Sequence, residues 1–481
     1  MVSPEASETS SLLSIGRNSS EIERHPFVSF DSPGSWFRRA FLCSTAFGVA
    51  CILTLAFSFK HVPARANPTY HEFPSEFVWG TATSSYQIEG AVADDGRGPT
   101  IWDTFSHQPG NTLDNATGDV ACDHYHRMKE DVELLKGLSV KAYRFSIAWS
   151  RILPNGTGDV NQQGIRFYGR LIDMLLAYDI EPWVTLFHWD LPQTLDDEYG
   201  GWLDVRTSEA FAKYSRICFE QFGDKVKHWI TINEAWTVAV AGYNNGVHAP
   251  GHKDKPTTEP YIVGHNLLLG HAKAARIYKE EYAEKQKGVI GISNCGDFHY
   301  PRTDNDADVE AAHRAMLFQF GWFVDPILLG DYPEVMRKQL GNRLPVFTSD
   351  ERQDLQGSAD FLGLNYYSSL LAAEPKQKPT FGGYWADIFT ELSDLPTWKK
   401  SSMGWNIVPG GLRKMLLWIS ERYDDPLLYV TENGAAFDEP DLATARNDEN
   451  RRRFFEGHLR ACAEAIDAGV RLGGYFAWSL M

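Results

Sequence analysis

Eight short apolar runs, separated by longer segments with helical spacing of apolar residues, constrain the fold of this chain most. The runs are rich in β-branched and aromatic residues, which is typical of buried strands. Between them, segments such as His126 to Leu138 and Tyr261 to Tyr282 show helical periodicity. This alternation predicts an α/β fold, a (β/α)8 TIM barrel. The predicted strands are Phe77 to Ala82, Ala142 to Ile147, Trp183 to Phe187, Trp229 to Ile232, Val289 to Ser293, Phe361 to Asn365, Leu427 to Thr431 and Gly474 to Trp478.

Two of the predicted strands lead into a glutamate, Glu234 and Glu432. Because the strand ends of a parallel barrel meet at one face, the two carboxyl groups can face each other. Cleavage of a glycosidic bond needs such a pair, since one carboxyl protonates the departing oxygen while the other stabilises or captures the positively charged sugar carbon. A single glutamate at a strand end is more often a surface or ion-paired residue, so the neighbouring motifs decide between the two interpretations.

Polar and aromatic motifs follow the predicted strands. They combine aromatic rings with amide and charged groups, the mixture that stacks on a sugar face and binds its hydroxyls. The motifs are Ser85 to Gly90, Arg144 to Arg151, Phe187 to Pro192, Asn365 to Tyr367 and Phe476 to Leu480.

In this order the motifs resemble glycoside hydrolase family 1, the β-glucosidase family, over residues 70–481. The resemblance implies a retaining β-glycosidase that hydrolyses β-D-glucosides, either oligosaccharides or aryl and alkyl glucosides, by double displacement through a covalent glycosyl-enzyme. It implies Glu234 as the acid/base and Glu432 as the nucleophile. Glu234 also argues against the family's plant thioglucosidases, which usually have glutamine at this position.

The resemblance assigns further residues to the site. Arg144 and Tyr367 are expected to contact Glu432 and to lower its pKa by favouring the charged form. Glu234, close to that anion, is expected to stay protonated near neutral pH, to donate its proton to the leaving oxygen and later to activate water. Trp405 is expected to be the aromatic platform for the aglycone. The residues expected to bind substrate are Gln87, His188, Trp189, Asn233, Tyr367, Trp405 and Trp478.

Two features depart from the family pattern. Ala235 stands where the family usually has proline, which loses backbone stiffness but no chemical group. The sequence stops at Met481 directly after the eighth strand, where the family continues with an acid and a tryptophan that hold distal sugar hydroxyls and then with the last barrel helix. We therefore expect residues 70–481 to be a C-terminally incomplete barrel domain.

Two alternatives to a working enzyme stay open. One is a catalytically weakened or inactive homologue that binds sugar or has no function. The other is a membrane-anchored receptor or scaffold, against which the intact glutamate pair argues, because a binding protein needs no second carboxylate.

The Pro- and Gly-rich insertion Glu374 to Ser402 is weakly patterned, and we expect it to form a loop over the cleft.

The first 69 residues differ in character from the rest. Residues 1–39 lack apolar periodicity and are expected to be a disordered cytosolic tail. Residues 40–59 carry no charge and are long enough to cross a bilayer as a helix, which predicts an uncleaved transmembrane signal anchor followed by a linker over residues 60–69. The catalytic domain would then be lumenal or extracellular. Cleavage after Ala66, which would give a secreted protein, remains an alternative.

Short motifs bear on location. Glu8, Leu12 and Leu13 resemble an acidic dileucine signal, which would fit a sorting adaptor on a route to the endosome or vacuole; the cell surface is the other destination. Asn115 and Asn155 begin N-glycosylation sequons that are meaningful only if this side of the membrane is lumenal; otherwise they are polar turns.

The net charge and the spacing of the cysteines limit the kinds of molecule or metal ion that this chain is expected to bind. The net charge of −17 would repel nucleic acid or an anionic membrane surface, whereas a neutral β-glycoside substrate is indifferent to it. The six cysteines show no metal-like spacing. Asp123 to His126 contains potential metal ligands but matches the family's non-metal pattern, so we expect neither a metal nor a cofactor.

Overall fold

Eight parallel strands form a closed barrel in the computed structural model, which describes residues 72–377 and 382–481. The prediction of an α/β barrel is confirmed, and each strand lies within two residues of its predicted ends. In chain order the strands are β1 (Val78–Ala82), β2 (Ala142–Ser146), β3 (Glu181–Phe187), β4 (His228–Asn233), β5 (Val289–Cys295), β6 (Phe361–Asn365), β7 (Leu428–Asn433) and β8 (Leu472–Trp478).

The strands pair in sequence order around the barrel, and β8 closes the ring by pairing with β1. This order separates β4 from β7 by two strands, so the two glutamate-bearing strands stand apart around the wall. Both strands show a register shift just before their polar ends, between Ile230 and Asn233 in β4 and between Val430 and Glu432 in β7. Such irregularities redirect side chains, here at the end of the barrel where the two glutamates lie.

Long helices connect successive strands and cover the barrel from outside. In the helix Gln162–Ala177, for example, Phe167, Leu171 and Leu175 are buried at helical spacing, and the side chain of Asn161 caps its first turn. The long helices are His124–Leu138, Gln162–Ala177, Val205–Phe222, Glu259–Ile277, Asp306–Met316, Pro409–Arg422 and Glu449–Asp467.

Shorter elements occupy the loops. The short α-helices are Ser85–Ile88, Ile101–Ser106, Trp149–Ile152, Gln193–Tyr199, Ala235–Tyr243, Ala283–Gln286, Trp322–Leu328, Glu334–Leu340, Ser349–Leu355, Tyr384–Asp387 and Leu442–Asn447. Turns of 3-10 helix span Asp94–Gly96, Leu113–Asn115, Gly201–Leu203 and Gly341–Arg343, and π-helical turns span Tyr278–Tyr282 and Leu317–Gly321. Small sheets combine Phe298–Pro301, Ser369–Ala373 and Glu391–Ser393, and Lys399–Lys400 with Asn406–Ile407.

The insertion from residue 374 onward is more ordered than predicted. Its described residues include the helix Tyr384–Asp387 and the strands Glu391–Ser393 and Lys399–Lys400. The segment predicted to form a loop over the cleft thus contains short elements, because pairing with the strand Ser369–Ala373 orders part of a segment whose local pattern is weak.

Aromatic side chains fill the lower interior of the barrel. Trp183 of β3 stacks on His228 of β4 at a centroid distance of 3.9 Å, and Phe361, Tyr429 and Phe476 pack edge-on or tilted around the indole. The interior of the barrel is thus a packed core and not a pore. A ligand can therefore bind only outside this core, among the loops at the end of the barrel.

One glycine makes room for a layer of polar side chains next to these aromatic residues. A Cβ on Gly363 in β6 would lie 2.7 Å from Oγ1 of Thr431 and 2.8 Å from Oγ of Ser293. Because position 363 has no side chain, the hydroxyls of Ser293 and Thr431 can both approach Asn365. The glycine therefore makes room for the hydrogen bonds that hold Asn365 at the strand ends.

The predicted cytosolic tail, signal anchor and linker up to residue 69 lie outside the described residues. Among the helices within residues 72–377 and 382–481, none combines the length and apolarity needed to cross a bilayer. Ser479, Leu480 and Met481 follow β8. The expectation that the barrel lacks its last helix stays a prediction.

Candidate active site

The two predicted glutamates lie at the C-terminal end of the barrel, and both are buried. Glu432 is 3 % exposed within β7, and Glu234 is 6 % exposed directly after β4. Glu234 has a left-handed backbone, with φ of 51°, and forms the N-cap of the helix Ala235–Tyr243. This turn places the side chain at the junction between strand and helix, where catalytic residues of such barrels are found.

Glu432 is bound by one strong donor on each carboxyl oxygen. Arg144 donates from Nη1 to Oε1 at 2.7 Å, and the hydroxyl of Tyr367 donates to Oε2 at 2.7 Å. Burial raises the pKa of Tyr367 well above its ordinary value, and the negative charge of Glu432 adds to this effect. The phenol therefore stays a donor throughout the pH range in which enzymes work.

Arg144 reaches across the barrel interior from β2. Besides Glu432, its guanidinium donates from Nη2 to Oδ1 of Asn233 at 2.6 Å and from Nε to Oγ1 of Thr185 at 3.1 Å. The residue is fully buried, and a buried charge is tolerated only with such partners. Arg144 thus connects the polar ends of β4 and β7.

Glu234 lies in a different environment. Nδ2 of Asn365 donates to its Oε1 at 2.8 Å, and the hydroxyl of Thr237 donates to its Oε2 at 2.7 Å. Burial, followed by the negative charge of Glu432, raises the pKa of Glu234 to about 7. No cation is paired with Glu234 among the described residues, so the neutral acid is the favoured form below neutral pH.

The two carboxyl groups therefore differ in chemistry. Glu432 forms an ion pair with the guanidinium of Arg144, whereas the pKa of Glu234 is raised to about 7, so Glu234 can donate a proton. Two neighbouring acids in different environments form the arrangement that glycoside hydrolysis uses.

Several predicted substrate-binding residues surround the carboxyl groups. His188 is buried and stacks on Trp478 with ring centroids 5.5 Å apart. Burial and the charge of Arg144 lower the pKa of His188 well below its usual value, so the ring is neutral. Trp189 donates from Nε1 to the backbone oxygen of Asn233 at 3.1 Å. The structure thus brings together His188, Trp189, Asn233, Tyr367 and Trp478.

Gln87 and Trp405 lie at the edge of this group. Gln87 is exposed on the helix Ser85–Ile88 after β1, and its Oε1 accepts a hydrogen bond from Ser84 and not from the carboxylate network. Trp405 is 43 % exposed, and its ring lies 5.3 Å from that of Tyr367. Both side chains are exposed at the edge of the site, where a bound ligand could cover them.

Two residues that touch Glu234 were not assigned a role from the sequence. Asn365 ends β6, within the Asn365-Tyr366-Tyr367 motif, and its position aligns with Glu432 in the neighbouring strand. Thr237 follows Glu234 by three residues on the helix that begins there. An asparagine at a strand end and a hydroxyl three residues after a helix N-cap are the signals that could have indicated them.

Both sequon asparagines are exposed. Asn115 ends the 3-10 turn Leu113–Asn115, where its Oδ1 accepts a hydrogen bond from the backbone of Gly110 at 2.8 Å, and Asn155 lies in a turn. His126, within the segment that contains potential metal ligands, instead contacts Asp123 and Asp94 at the surface.

The chain is similar to known glycoside hydrolases over most of its length. The family model described as "Glycosyl hydrolase family 1" matches residues 69–481. The chain is 45% identical over 435 residues to "Beta-glucosidase 34" of Oryza sativa subsp. japonica, covering 86% of this chain and 85% of the relative. It is 44% identical over 452 residues to "Raucaffricine-O-beta-D-glucosidase" of Rauvolfia serpentina, with coverage of 85% and 84%.

Solved structures show the same similarity. A rice β-glucosidase mutant in a covalent complex with a glucose unit superposes with a TM-score of 0.83 at 44% identity, covering 85% of this chain and 90% of that one.

Proposed function

The chain belongs to glycosyl hydrolase family 1, and from this membership we propose that it hydrolyses β-D-glucosides with retention, using Glu432 as nucleophile and Glu234 as acid/base. The observation that carries the assignment of roles is the difference between the two carboxyl groups. Glu432 is held by Arg144 and Tyr367, whereas the pKa of Glu234 is raised to about 7.

The first step would be attack of Glu432 on the anomeric carbon. As the carbon–oxygen bond to the aglycone breaks, Glu234 gives its proton to the leaving oxygen, and Glu432 becomes esterified and loses its charge. Loss of that charge removes one of the two influences that raise the pKa of Glu234. The carboxylate of Glu234 can then take a proton from water as the water attacks the glycosyl-enzyme.

The enzyme is favoured over a weakened homologue because both carboxyl groups keep their partners. Each oxygen of Glu432 and of Glu234 accepts a hydrogen bond, and the arginine at Glu432 is itself anchored on Asn233 and Thr185. A protein that only binds sugar has no need for this support of both acids. Retention also requires carboxyl groups about 5–5.5 Å apart, without room for a water between them.

The assignment is tested by chemical rescue. Glu432→Ala should lose turnover of an aryl β-glucoside, and azide entering the vacated space should restore part of it with formation of the α-glucosyl azide. In Glu234→Ala, azide should instead attack the glycosyl-enzyme from the opposite face and give the β-glucosyl azide. The same anomer from both variants would show that the roles are wrong.

The stereochemistry can be followed in the unmodified protein. Proton NMR of the first glucose released should show the β-anomer before mutarotation, because two displacements restore the starting configuration. Release of the α-anomer first would contradict retention.

The aglycone side of the site favours groups with a flat face. Trp236 follows Glu234 on the same helix, and its ring lies 6.1 Å from that of Trp385, which is 46 % exposed. On the side of Glu432, Trp405 lies against Tyr367. The exposed indoles of Trp385 and Trp405 pack on Trp236 and Tyr367 and provide stacking surfaces, so aglycones that present a flat face, an aryl group or a further sugar ring, are the proposed substrates.

We further propose, from the sequence, that residues 40–59 anchor the protein in a membrane with the barrel on the lumenal or extracellular side. Glu8, Leu12 and Leu13 would then be available to a cytosolic sorting adaptor. The full-length protein should stay with membranes after a carbonate wash, and an endoglycosidase should reduce its mass through Asn115 or Asn155. A soluble product beginning at Asn67 would show cleavage after Ala66 instead.

A further inference from the structure

Arg144 determines which groups donate and which accept in the hydrogen bonds around Glu234. A guanidinium can only donate, so the side-chain atom of Asn233 that lies 2.6 Å from Nη2 of Arg144 must be its oxygen. That oxygen also lies 3.0 Å from the side chain of Asn365. Since it is an acceptor, Asn365 must present its amide nitrogen to it.

The other side of Asn365 supports this orientation. Its Oδ1 lies 2.9 Å from the hydroxyl of Ser293 and 2.7 Å from that of Thr431; these two hydroxyls are 2.5 Å apart, so one donates to the other and the second donates to Oδ1. The amide is therefore fully oriented, and the same Nδ2 lies 2.8 Å from Oε1 of Glu234. An amide nitrogen is a donor only, so this carboxyl oxygen has to be an acceptor.

In the protonated form of Glu234 the two oxygens are then not equivalent. The unprotonated oxygen of a carboxylic acid is the better acceptor, so the N–H of Asn365 favours Oε1 as that oxygen and places the hydrogen on Oε2, the oxygen that faces Thr237. We propose that Asn365 assigns the catalytic proton to Oε2 of Glu234, and that Thr237 is the positioning residue that holds this oxygen in both its acid and its base form. This inference rests on the proposed acid/base role of Glu234.

Thr237 is suited to this task because a hydroxyl both donates and accepts. To the carboxylate it donates its hydrogen, and to the acid it can offer a lone pair, provided that its own hydrogen has another acceptor. Sγ of Cys295 lies 3.5 Å from the same hydroxyl oxygen and is a weak acceptor. Rotation of one hydroxyl between Glu234 and Cys295 thus follows the change in protonation without movement of the backbone.

The positions of these residues explain why they meet. Thr237 lies on the first turn of the helix that Glu234 caps, and Cys295 ends β5, where it pairs in register with Asn365 of β6. The thiol is buried, and burial raises its pKa well above the ordinary value, so it stays neutral. A neutral thiol can accept the hydroxyl hydrogen without placing a second negative charge beside Glu234.

The test compares Thr237→Val, which keeps the shape but removes the hydroxyl, with Thr237→Ser, which keeps the hydroxyl. The measurement is the pH dependence of kcat/KM for phenyl β-glucoside, whose leaving group needs the proton of Glu234. In Thr237→Val the carboxylate loses a donor, so the alkaline limb should move to higher pH by about 0.5–1 unit. In Thr237→Ser the limb should stay in place. An unmoved limb in the valine variant, or an equal shift in the serine variant, would overturn the proposal.

A second variant predicts a shift of opposite sign. Cys295→Ala removes the alternative acceptor, which leaves the hydroxyl hydrogen directed at Oε2 and favours the carboxylate, so the alkaline limb should move to lower pH. A general loss of packing around the site would shift the alkaline limb of both variants in the same direction. A limb that is unmoved or raised in Cys295→Ala would overturn the role of the sulfur.

Failure of the acid/base role itself would look different. Glu234→Ala should lose activity on phenyl β-glucoside far more than it slows glycosylation by 2,4-dinitrophenyl β-glucoside, whose leaving group needs no proton. Equal losses on both substrates would remove the premise, whatever the Thr237 variants show.

Discussion

Tyr367 donates its hydroxyl hydrogen to Oε2 of Glu432 at 2.7 Å, on the carboxyl oxygen that Arg144 does not bind. The two donors come from different parts of the barrel, the arginine from β2 and the tyrosine from the loop after β6. Glu432 is therefore fixed in orientation from both sides before any substrate arrives. In its proposed role as nucleophile, a residue oriented in advance loses little freedom on reaching the transition state.

Tyr367→Phe should impair catalysis without unfolding the protein. The variant leaves Oε2 of Glu432 without this donor, and we expect kcat/KM for an aryl β-glucoside to fall by about 10²-fold, as for the loss of one preorganised donor. The neighbouring Tyr366 provides a matched control, because it is buried and its hydroxyl donates to the backbone oxygen of Val408, away from the carboxylates. Tyr366→Phe should lower the melting temperature and leave kcat/KM largely intact. Equal kinetic losses in both variants would argue against a specific role for Tyr367.

The raised pKa of Glu234 should make the stability of the folded protein depend on pH. In the folded protein the pKa is about 7, against an ordinary value of 4.5. Between these values the unfolded chain loses its proton while the folded one keeps it, so this carboxyl stabilises the folded state below about pH 4.5, and that contribution is lost as the pH rises to about 7. Glu234→Gln cannot ionise and avoids the loss. The variant should gain stability relative to the wild type at about pH 8 but not at about pH 4, by at most on the order of 3 kcal/mol.

Melting curves at the two pH values measure this difference. Glu133→Gln is a suitable control, because Glu133 is exposed on the helix His124–Leu138 and its replacement should have the same small effect at both values. A gain for Glu234→Gln that does not depend on pH would mean that ionisation of this residue is not its cause.

Local pattern was sufficient to predict the barrel strands, because each is a short apolar run bounded by polar residues. β6, for instance, was predicted with the bounds it has. The topology of a parallel barrel also brings Glu234 and Glu432 to one face without further information. The role of Asn365 could not be derived in this way, because it depends on the orientation of an amide fixed by residues of four other strands. The order within the insertion was missed because it comes from pairing with another segment.

A buried ion pair supports the loop that follows β1. Nε of Arg151 donates to Oε2 of Glu89 at 2.7 Å, and the hydroxyl of Tyr168 donates to Oε1 of the same carboxylate at 2.6 Å. Arg151→Met should lower the free energy of unfolding by about 3–5 kcal/mol, because the carboxylate is left buried without its cation. Removing the charge as well, in Arg151→Met with Glu89→Gln, should recover part of the loss. Denaturant titration measures both, and a double variant no more stable than the single one would contradict the explanation.

Substrate preference should depend on the exposed tryptophans Trp385 and Trp405, which pack on Trp236 and Tyr367. Trp385 and Trp405 are 46 % and 43 % exposed, and each packs by one edge or face on an aromatic residue adjoining the site, Trp236 and Tyr367 respectively. Trp385→Ala and Trp405→Ala should each reduce kcat/KM for an aryl β-glucoside about 2- to 10-fold, the value of one aromatic stacking contact, while methyl β-glucoside, which has no ring to stack, should be affected much less. Leu134→Ala, at an exposed position on the outer helix His124–Leu138, is the control that removes apolar surface elsewhere. The ratio of the two substrates is the decisive measurement, because a general loss of folded enzyme lowers both rates equally. An unchanged ratio in both tryptophan variants would show that the aglycone does not stack on these rings.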